Sequence, residues 1–346
     1  MHNTKKYRRG FTLVEIMAAT AIMVVVIMFV TNIAVDMLRA YDGTISAISS
    51  NYDARSVLDP IENDFVSAKV FNDNHRWFEV RYDESDTGNL DKMSAPRIML
   101  FAQPKDRVRR SITADSSTEI QGDMCAVCYR LVQKAPFGTS ADSPENARYS
   151  MYRSILNAKD TGELAIPYII GSNGKSGSAE NQTPNSFWSS SESITDPSDD
   201  KKYSLSEWTT EIQNLLVDGV LDLTLIFWYD DYDDSGKRKI AIINNPRIAQ
   251  YVRSAYKNNY DVTTFSTSIA AGYDKIVFDS NVSGAVSGTL KAVDVSVTVL
   301  SPEGKSRLSG LQRQESSQTI SDDEFTDLLQ EYGVTFTRSF TIFREQ

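Results

Sequence analysis

The first acidic residue of this chain, Glu15, stands at the start of a long apolar segment. The next 20 residues, Ile16 to Val35, carry no charge. A lone carboxylate at the end of such a segment is costly in lipid, so it needs a partner or a function. The alternative is that Glu15 turns toward the lipid headgroups and does nothing more. Its position therefore marks it as a candidate functional residue.

The element that must position Glu15 is the apolar segment itself. Residues 11–35 are the expected membrane-spanning helix, and the 20 uncharged residues within it would span about 30 Å, the thickness of a bilayer core. Four basic residues lie between positions 5 and 9, and Asp36 follows the apolar segment. Because basic flanks stay in the cytoplasm, the residues after about 36 are expected outside the inner membrane.

The residues around Glu15 resemble a known processing signal. Gly10-Phe11-Thr12-Leu13-Val14-Glu15 is similar to the class III signal of type IV prepilins and type II secretion pseudopilins. The resemblance implies that residues 1–10 are a cytoplasmic leader, which prepilin peptidase cleaves after Gly10. It also implies that the same enzyme N-methylates Phe11, and that in a filament Glu15 pairs with the Phe11 ammonium of a neighbouring subunit.

The same resemblance implies a location and partners. It predicts a bacterial inner-membrane protein that crosses the membrane once and has its C-terminal head in the periplasm. The whole subunit is then expected to be extracted from the membrane into a filament. The expected partners are prepilin peptidase, other pilins or pseudopilins and an inner-membrane assembly platform. Nucleic acid is not expected as a partner, because the formal net charge is −10 and phosphate contacts need clustered basic residues.

A second set of polar residues has the spacing of half a calcium loop. Asp231, Asp233 and Ser235, followed by Gly236, fit the pattern D-x-D-x-S-G. The twelfth position of such a loop is Ile242, where a bidentate Glu is expected. The alternative is an acidic hairpin turn. Calcium is the one cofactor that the sequence leaves open; otherwise none is expected.

The two cysteines, Cys125 and Cys128, form a C-x-x-C pattern. Their segment alternates like a strand, and odd spacing on a strand places two side chains on opposite faces. This opposes a local disulfide or half of a zinc site, so two ordinary strand cysteines are predicted. A mass measurement with and without reductant decides between these readings.

No set of residues suits catalysis. Once the leader is removed, His75 is the remaining histidine, which gives no support for a Ser-His or Cys-His nucleophile pair. The segment Gly171-Ser-Asn-Gly-Lys-Ser176 suggests a phosphate loop, but Ile169 stands where its first glycine is required. The chain is therefore expected not to be an enzyme.

The remaining pattern predicts an α+β fold, with a long N-terminal helix as the spine of an antiparallel β-rich head. The first helix is expected over residues 11 to about 57. Asp59-Pro60 reads as an N-cap with proline at the first helical position, so a second helix is predicted over Pro60–Val70. Residues 36–71 form the expected helical spine and 72–346 the head. Beyond the membrane, apolar residues recur at steps of three or four: Leu38, Tyr41, Ile45, Ile48 and Tyr52.

Alternation and capping patterns predict the elements of the head. Strands are expected at Phe78–Tyr82, Arg97–Phe101, Cys125–Val132, Tyr149–Leu156, Leu164–Ile170, Gly219–Tyr229, Lys239–Ile243, Lys291–Leu300 and Val334–Phe343. Leu221, Leu223, Leu225 and Phe227 are expected on one face. A helix is predicted from Ser204-x-x-Glu207 through Leu216, and another from Ser321-x-x-Glu324 to Gly333.

A polar insertion around residues 135–202 interrupts the head, and within it Gly171–Asp200 is too polar to form a core. Its Phe187-Trp188 pair is either a binding anchor for a partner or a contact that holds the loop against the head. This leaves an alternative function, a pilus-tip adhesin that uses the insertion for surface binding. Residues 126–131, 216–220 and 292–299 are similar to segments of pseudopilin J and related minor pilins, which favours a structural subunit of that group.

Overall fold

The computed structural model describes most of the predicted elements. The described residues are 12–68, 78–82, 96–106, 122–134, 148–158, 161, 193–195, 202–204, 212–243, 256, 259–265, 268–271, 275–278, 286–287, 290–314 and 322–341. The chain divides into two units with a boundary between Ser49 and Ser50, and each unit is described by itself. The described part of the first unit is helical, and the described part of the second contains the sheets together with helical segments.

The first helix, α1, covers Leu13–Val66 without interruption. The prediction of a helix boundary at Asp59-Pro60 is therefore wrong, since Pro60 lies inside α1. Proline removes one backbone hydrogen bond and disfavours a helix interior. The buried side chains of Val57 and Ile61, on either side of Pro60, keep this part of the helix packed into the head despite that loss.

The strands of the described residues follow α1 and are numbered in chain order. They are β1 (Phe78–Tyr82), β2 (Pro96–Ala102), β3 (Cys125–Lys134), β4 (Arg148–Leu156), β5 (Ser193–Thr195), β6 (Lys202–Ser204), β7 (Leu215–Asp218), β8 (Val220–Tyr232), β9 (Arg238–Ile243), β10 (Asp261–Phe265), β11 (Ser268–Ala271), β12 (Lys275–Phe278), β13 (Val286–Ser287), β14 (Leu290–Leu300) and β15 (Gly333–Thr341). In the described part of the chain, two α-helices lie between β14 and β15: α2 (Pro302–Gln314) and α3 (Asp322–Tyr332).

Within the described residues these strands form two large sheets and a small one. Eight strands make one sheet in the order β13-β12-β11-β1-β2-β3-β4-β7, with antiparallel neighbours throughout. Five strands make the second, in the order β10-β9-β8-β14-β15, where only β10 and β9 run parallel. Strands β5 and β6 pair separately. The long helix followed by antiparallel sheets confirms the α+β prediction.

One hydrophobic core joins both large sheets to the second half of α1. Phe65 of the helix contacts Phe78 of β1 and Phe340 of β15, with ring centroids 5.5 Å and 6.0 Å away. The alternating side chains of β14 enter this core, because Val293, Val295, Val297 and Val299 are all fully buried. Burial of each such side chain contributes on the order of 1.5–3 kcal/mol. The alternating valines are thus a main source of head stability.

Some local predictions are wrong. The apolar stripe expected to be helical up to Leu216 instead enters a 3-10 turn at Ile212–Asn214 and then strand β7. Leu221 does not share a face with Leu223, because it lies in a second core cluster with Leu300, Leu308 and Phe325. The pairing of β8 with β14 shifts register beside it, and such a bulge redirects a side chain to the other face.

The polar range 135–202 contains an element of the core. Strand β4 lies inside this range and pairs with β3 along nine residue pairs, from Ala126↔Leu156 to Lys134↔Arg148. Residues 162–192, which include the predicted strand Leu164–Ile170 and the Phe187-Trp188 pair, lie outside the described residues. Because β4 belongs to the eight-stranded sheet, the part of this range that could be an insertion begins only after β4.

Candidate functional site

The N-terminal candidate residues are divided between the described and undescribed parts of the chain. Gly10 and Phe11, the predicted cleavage and methylation positions, lie outside the described residues. Glu15 lies in the first turn of α1.

Glu15 forms a capping box with Thr12. Its Oε2 accepts hydrogen bonds from the Thr12 backbone N–H at 2.9 Å and from the Thr12 hydroxyl at 3.0 Å, while the Glu15 N–H donates to the Thr12 hydroxyl at 3.3 Å. This contact was not predicted from the sequence, although Thr12-x-x-Glu15 has the same capping-box spacing as Ser204-x-x-Glu207 and Ser321-x-x-Glu324. The motif fixes the start of the helix and the orientation of the carboxylate together.

The capping box leaves part of the carboxylate available. Both hydrogen bonds from Thr12 go to Oε2, and within the described residues Oε1 accepts none. Both residues are exposed in the isolated chain. One carboxylate can accept about four hydrogen bonds, so a cation can still approach Glu15 without breaking the cap.

The helix that follows Glu15 has the properties of a membrane span. Its most apolar 18-residue window has a mean hydropathy of 2.7, and none of that window is buried within the protein. The large side chains from Leu13 to Val35 are exposed. An apolar helix without cover inside its own chain requires lipid or protein around it. This is consistent with a single-pass membrane anchor.

Further along α1, three basic side chains of the head bind its carboxylates. The first is Arg153 of β4, which donates to Asp64 from Nε at 2.8 Å and from Nη2 at 2.9 Å. The Tyr129 hydroxyl donates to the same carboxylate. Asp64 is fully buried, so these donors supply the compensation that a buried charge requires.

The electrostatics of this cluster agree with its geometry. Burial, together with the neighbouring Asp64 carboxylate, raises the pKa of Tyr129 well above its ordinary value, so Tyr129 remains a donor. Burial alone lowers the pKa of Arg153, but hydrogen bonds to Asp64 and Asp106 outweigh it and raise that pKa. Arg153 also binds Asp106, on the segment after β2, at 2.6 Å and 3.0 Å. The guanidinium thus joins α1 to two parts of the head.

Lys305 of α2 makes the second connection. Its Nζ binds Asp53 of α1 at 2.8 Å and Asp218 of β7 at 3.0 Å. The Lys305 side chain passes close to Gly219, where an added Cβ would lie 2.3 Å from its Cε. Gly219 has a φ of 79°, which favours glycine. Glycine at position 219 therefore allows the positive φ of the backbone and also leaves space for the Lys305 side chain.

Arg338 of β15 makes the third connection, through Nη1 to Asp59 at 2.6 Å and to Glu62 at 2.5 Å. The hydrogen bond to Asp59 is the main reason why the pKa of Arg338 is raised. The three basic residues come from different elements, and each contacts two carboxylates. We call them the spine clamps, defined as Arg153, Lys305 and Arg338 with their carboxylate partners.

The calcium pattern begins at Asp231 near the end of β8, and its residues Asp233 and Ser235 lie in the turn before β9. The Asp233 carboxylate accepts hydrogen bonds from the Ser235 N–H at 2.9 Å, the Ser235 hydroxyl at 2.7 Å and the Lys237 N–H at 2.7 Å. These bonds, first that from Ser235, lower the pKa of Asp233. The Asp231 side chain is not described, and the described residues contain no group of three His, Cys, Asp or Glu suited to a metal. The observed bonds explain the turn without a cation, and calcium binding stays a prediction.

Both cysteines are buried thiols on β3, opposite Ala102 and Met99 of β2. Their position on a strand agrees with the sequence prediction. His75 and the Gly171–Ser176 segment lie outside the described residues.

Comparison with known proteins concerns the N-terminal segment. Residues 5–31 match the family described as the prokaryotic N-terminal methylation motif. The match includes Gly10, Phe11, the capping box and most of the apolar segment, and it supports a type IV prepilin-like protein. Curated proteins and solved structures gave no match to this chain.

Proposed function

We propose that this chain is a minor pilin or pseudopilin, a structural subunit rather than an enzyme. The observation that carries the proposal is the methylation motif at residues 5–31, which leads directly into an uncovered apolar helix. That helix continues to Val66, where a β-rich head is attached through the spine clamps. Such an arrangement suits a protein that is stored in a membrane and then assembled by its helix.

The proposed sequence of events begins with cleavage after Gly10 by prepilin peptidase, followed by N-methylation of Phe11. The head lies on the periplasmic side, since the basic residues precede the helix. During assembly, the Phe11 ammonium of a neighbouring subunit approaches Oε1 of Glu15, which the Thr12 cap leaves unoccupied. An ion pair in an apolar filament core neutralises two charges that would each be costly there.

We further assign the chain to the pseudopilin J and minor pilin group. The supporting segments are Ala126–Leu131 on β3, Leu216–Val220 around the β7–β8 turn and Ala292–Val299 on β14. Strands β8 and β14 pair at the centre of the five-stranded sheet. The assembly is either a type II secretion pseudopilus or a type IV pilus-like filament.

Processing is tested by Gly10→Ala in the full-length chain expressed with a prepilin peptidase. We expect the variant to keep the mass of the uncleaved chain, whereas the unaltered chain loses residues 1–10 and gains one methyl group. Gly43→Ala is the matched control, because a Cβ at Gly43 meets no atom within 4 Å. An unaltered chain that retains its full mass would contradict the proposal.

The function of Glu15 is tested by two substitutions that separate charge from capping. Glu15→Gln keeps an oxygen that can accept from Thr12 but removes the charge, while Glu15→Ala removes both. We expect both variants to be cleaved normally and both to be poorly incorporated into filaments, measured by immunoblotting of sheared filament fractions. If Glu15→Gln is incorporated like the unaltered chain, the helix cap rather than the ion pair is what assembly requires.

A further inference from the structure

Strand β14 separates the core from an outer face of the five-stranded sheet. Its valines are buried in the core, so Asp294, Ser296 and Thr298, which alternate with them, lie on the opposite face. The residues paired with these three on β15 also carry hydroxyl groups, and all are exposed: Ser339, Thr337 and Thr335. This part of the outer face therefore consists of hydroxyl groups and one carboxylate.

The hydroxyl groups retain hydrogen-bonding capacity. Ser296 and Thr337 share a hydrogen bond of 2.8 Å, and Thr298 and Thr335 share another of 2.8 Å. Each hydroxyl has one hydrogen and two lone pairs, and either partner can be the donor in such a pair. Within the described residues, one hydrogen and several lone pairs of each pair therefore remain for a ligand.

An aromatic step borders the hydroxyl surface. Strands β9 and β10 run parallel, so the connection between them crosses over the sheet. Two described residues of this connection, Tyr256 and Tyr260, pack with Trp228 against the outer side of β8 and β9. The Tyr260 ring lies 5.0 Å from the Trp228 ring, edge to face, and all three aromatic side chains are partly buried. The outer face thus changes from aromatic rings at β8 to hydroxyl groups at β14 and β15.

Asp294 lies where these two surfaces meet. Its Oδ2 accepts a hydrogen bond from the Trp228 indole N–H at 2.6 Å, whereas Oδ1 is buried and accepts none from the described residues. Burial first, and then the charge of Asp294, raise the pKa of the Tyr256 phenol, so this nearby hydroxyl stays protonated. A buried acceptor without a donor is costly, and the broad terminal torsion of aspartate lets Oδ1 turn toward the hydroxyl surface. This oxygen is therefore an acceptor that a ligand can satisfy.

The charges around Trp228 select the class of ligand. The Arg238 guanidinium lies 5.7 Å from the centre of the Trp228 ring, and Asp294 binds the indole N–H of the same side chain. One positive and one negative group thus flank the tryptophan, so neither an anion nor a cation gains strongly here. A pyranose is neutral, offers hydroxyl groups that both donate and accept, and has C–H faces that pack on aromatic rings. A saccharide therefore fits this combination of side chains better than an ion.

We infer that the outer face of the five-stranded sheet binds a neutral saccharide. The site, which we call the sheet-face site, consists of Trp228, Tyr256, Asp294, Ser296 and Thr337. The aromatic side chains pack on a face of the sugar ring, while Asp294 and the Ser296–Thr337 pair bind the hydroxyl groups at its edge. The inference goes beyond assembly of the chain and does not depend on the processing motif, because every residue of the site belongs to the head.

Isothermal titration of the full-length chain, solubilised in a detergent without a sugar headgroup, tests the inference. The probes are neutral tetrasaccharides: cellotetraose, chitotetraose, maltotetraose and mannotetraose. We expect heat of binding with at least one of them. Asp294→Ala should weaken that binding about tenfold or more, because hydrogen bonds to a charged acceptor are lost.

Thr337→Val and Thr335→Val form a matched pair. Both threonines are exposed on β15, both share a hydrogen bond with a hydroxyl of β14, and valine suits a strand. Thr337 is two residues from Ser339, the sheet partner of Asp294, whereas Thr335 lies about 7 Å further along the strand. We expect binding about fivefold weaker for Thr337→Val and less than about twofold weaker for Thr335→Val. Equal affinities of the two variants would overturn the inference.

Tryptophan fluorescence provides a second measurement. Saccharide binding should change the emission of the unaltered chain, and Trp228→Phe should abolish this change while the other tryptophans keep their emission. Neither heat nor an emission change with any of the probes would overturn the inference. Binding of a lysine-rich peptide that Asp294→Ala abolishes, with no saccharide bound, would also overturn it, since the site would then recognise a cation.

The probes also separate two sources of saccharide. Chitotetraose carries acetamido groups, as the glycan strands of the bacterial cell wall do, whereas cellotetraose has the same linkage without them. Preference for chitotetraose, together with co-sedimentation of the chain with peptidoglycan sacculi, would indicate a cell-wall glycan. Preference for another probe would indicate an extracellular polysaccharide. Either result supports the sheet-face site.

Discussion

Asp64 is the buried charge on which the head contact of α1 depends most. Substitution with alanine would leave Arg153 without its buried partner and remove the acceptor of Tyr129. We expect Asp64→Ala to lower the free energy of unfolding by about 3–5 kcal/mol. Tyr129→Phe removes one donor only and should cost about 1–2 kcal/mol. Denaturant unfolding of the solubilised chain, followed by near-UV circular dichroism, measures both.

Asp36→Ala is the control for this prediction, because it makes the same change at a solvent-exposed position of the same helix. Within the described residues Asp36 forms an ion pair with Arg39 at 3.9 Å, and both side chains are largely exposed. Its effect should stay within about 0.5 kcal/mol. Equal losses for Asp36→Ala and Asp64→Ala would contradict the importance assigned to the buried cluster.

The contact between Asp106 and Arg153 predicts a pH dependence. Hydrogen bonds from Arg153 lower the pKa of Asp106 in the folded protein. Its contribution to stability is therefore present above the unfolded pKa of about 3.9 and is lost as the pH falls through the lower folded value. The difference in unfolding free energy between the unaltered chain and Asp106→Asn should thus be constant near neutral pH and vanish in acid. A difference independent of pH would exclude this role for Asp106.

At the scale of elements, the junction between α3 and β15 depends on Gly333. A Cβ at this position would lie 2.4 Å from the Leu329 carbonyl oxygen, which belongs to the backbone and cannot move aside cheaply. We expect Gly333→Ala to cost about 1–3 kcal/mol, in the range of other steric overpacking. Thermal unfolding of the solubilised chain measures the loss.

Gly310 provides the matched control inside α2. A Cβ there meets no atom within 4 Å, and alanine favours a helix over glycine by roughly 1 kcal/mol. Gly310→Ala should therefore be neutral or stabilising. Destabilisation by both substitutions to the same extent would show that the two glycines are required for some other reason.

The same elements show what the sequence makes predictable. Alternating residues on β14 and the uncharged segment of α1 are local patterns, so both elements are predicted correctly. The segment up to Leu216 was predicted as a helix because its apolar residues have a helical spacing. It instead forms a 3-10 turn and strand β7, because β7 forms backbone hydrogen bonds with β4. Pro60 was predicted to begin a helix, and packing on both sides keeps it inside one instead.

The candidate site divides in the same way. Gly10, Phe11 and Glu15 were identified from the sequence, since a short motif holds them, and the Thr12 cap was identifiable from its spacing. The spine clamps were not, because Lys305 binds an acid 252 residues earlier in the chain. Contacts between such distant residues follow from strand order, which no local pattern contains.

At the scale of the whole molecule, the polar segment after β4 distinguishes the two proposed functions. A structural subunit does not need this segment for surface binding, whereas a pilus-tip adhesin does. Deleting residues 162–192 removes no described element, whereas deleting 135–202 would also remove β4 from its sheet. We expect the 162–192 deletion to leave Gly10 cleavage and filament incorporation unchanged, measured by immunoblotting of sheared fractions. If incorporation persists and cell-surface binding is lost, the adhesin alternative is correct.

The spine clamps have a consequence for the order in which the protein is synthesised. The ion-pair partner of Asp59, Arg338, is synthesised 279 residues later, and Lys305, the partner of Asp53, is synthesised 252 residues later. Because the ribosome delivers the N-terminus first, the anchor is complete long before the residues that neutralise its carboxylates exist. A chain that stops before β15 keeps Asp59 and Glu62 without their cation and leaves β14 as an open sheet edge, which is a target for proteases and aggregation. The synthesis of β15 therefore supplies Arg338 to both carboxylates and covers the β14 edge in one step.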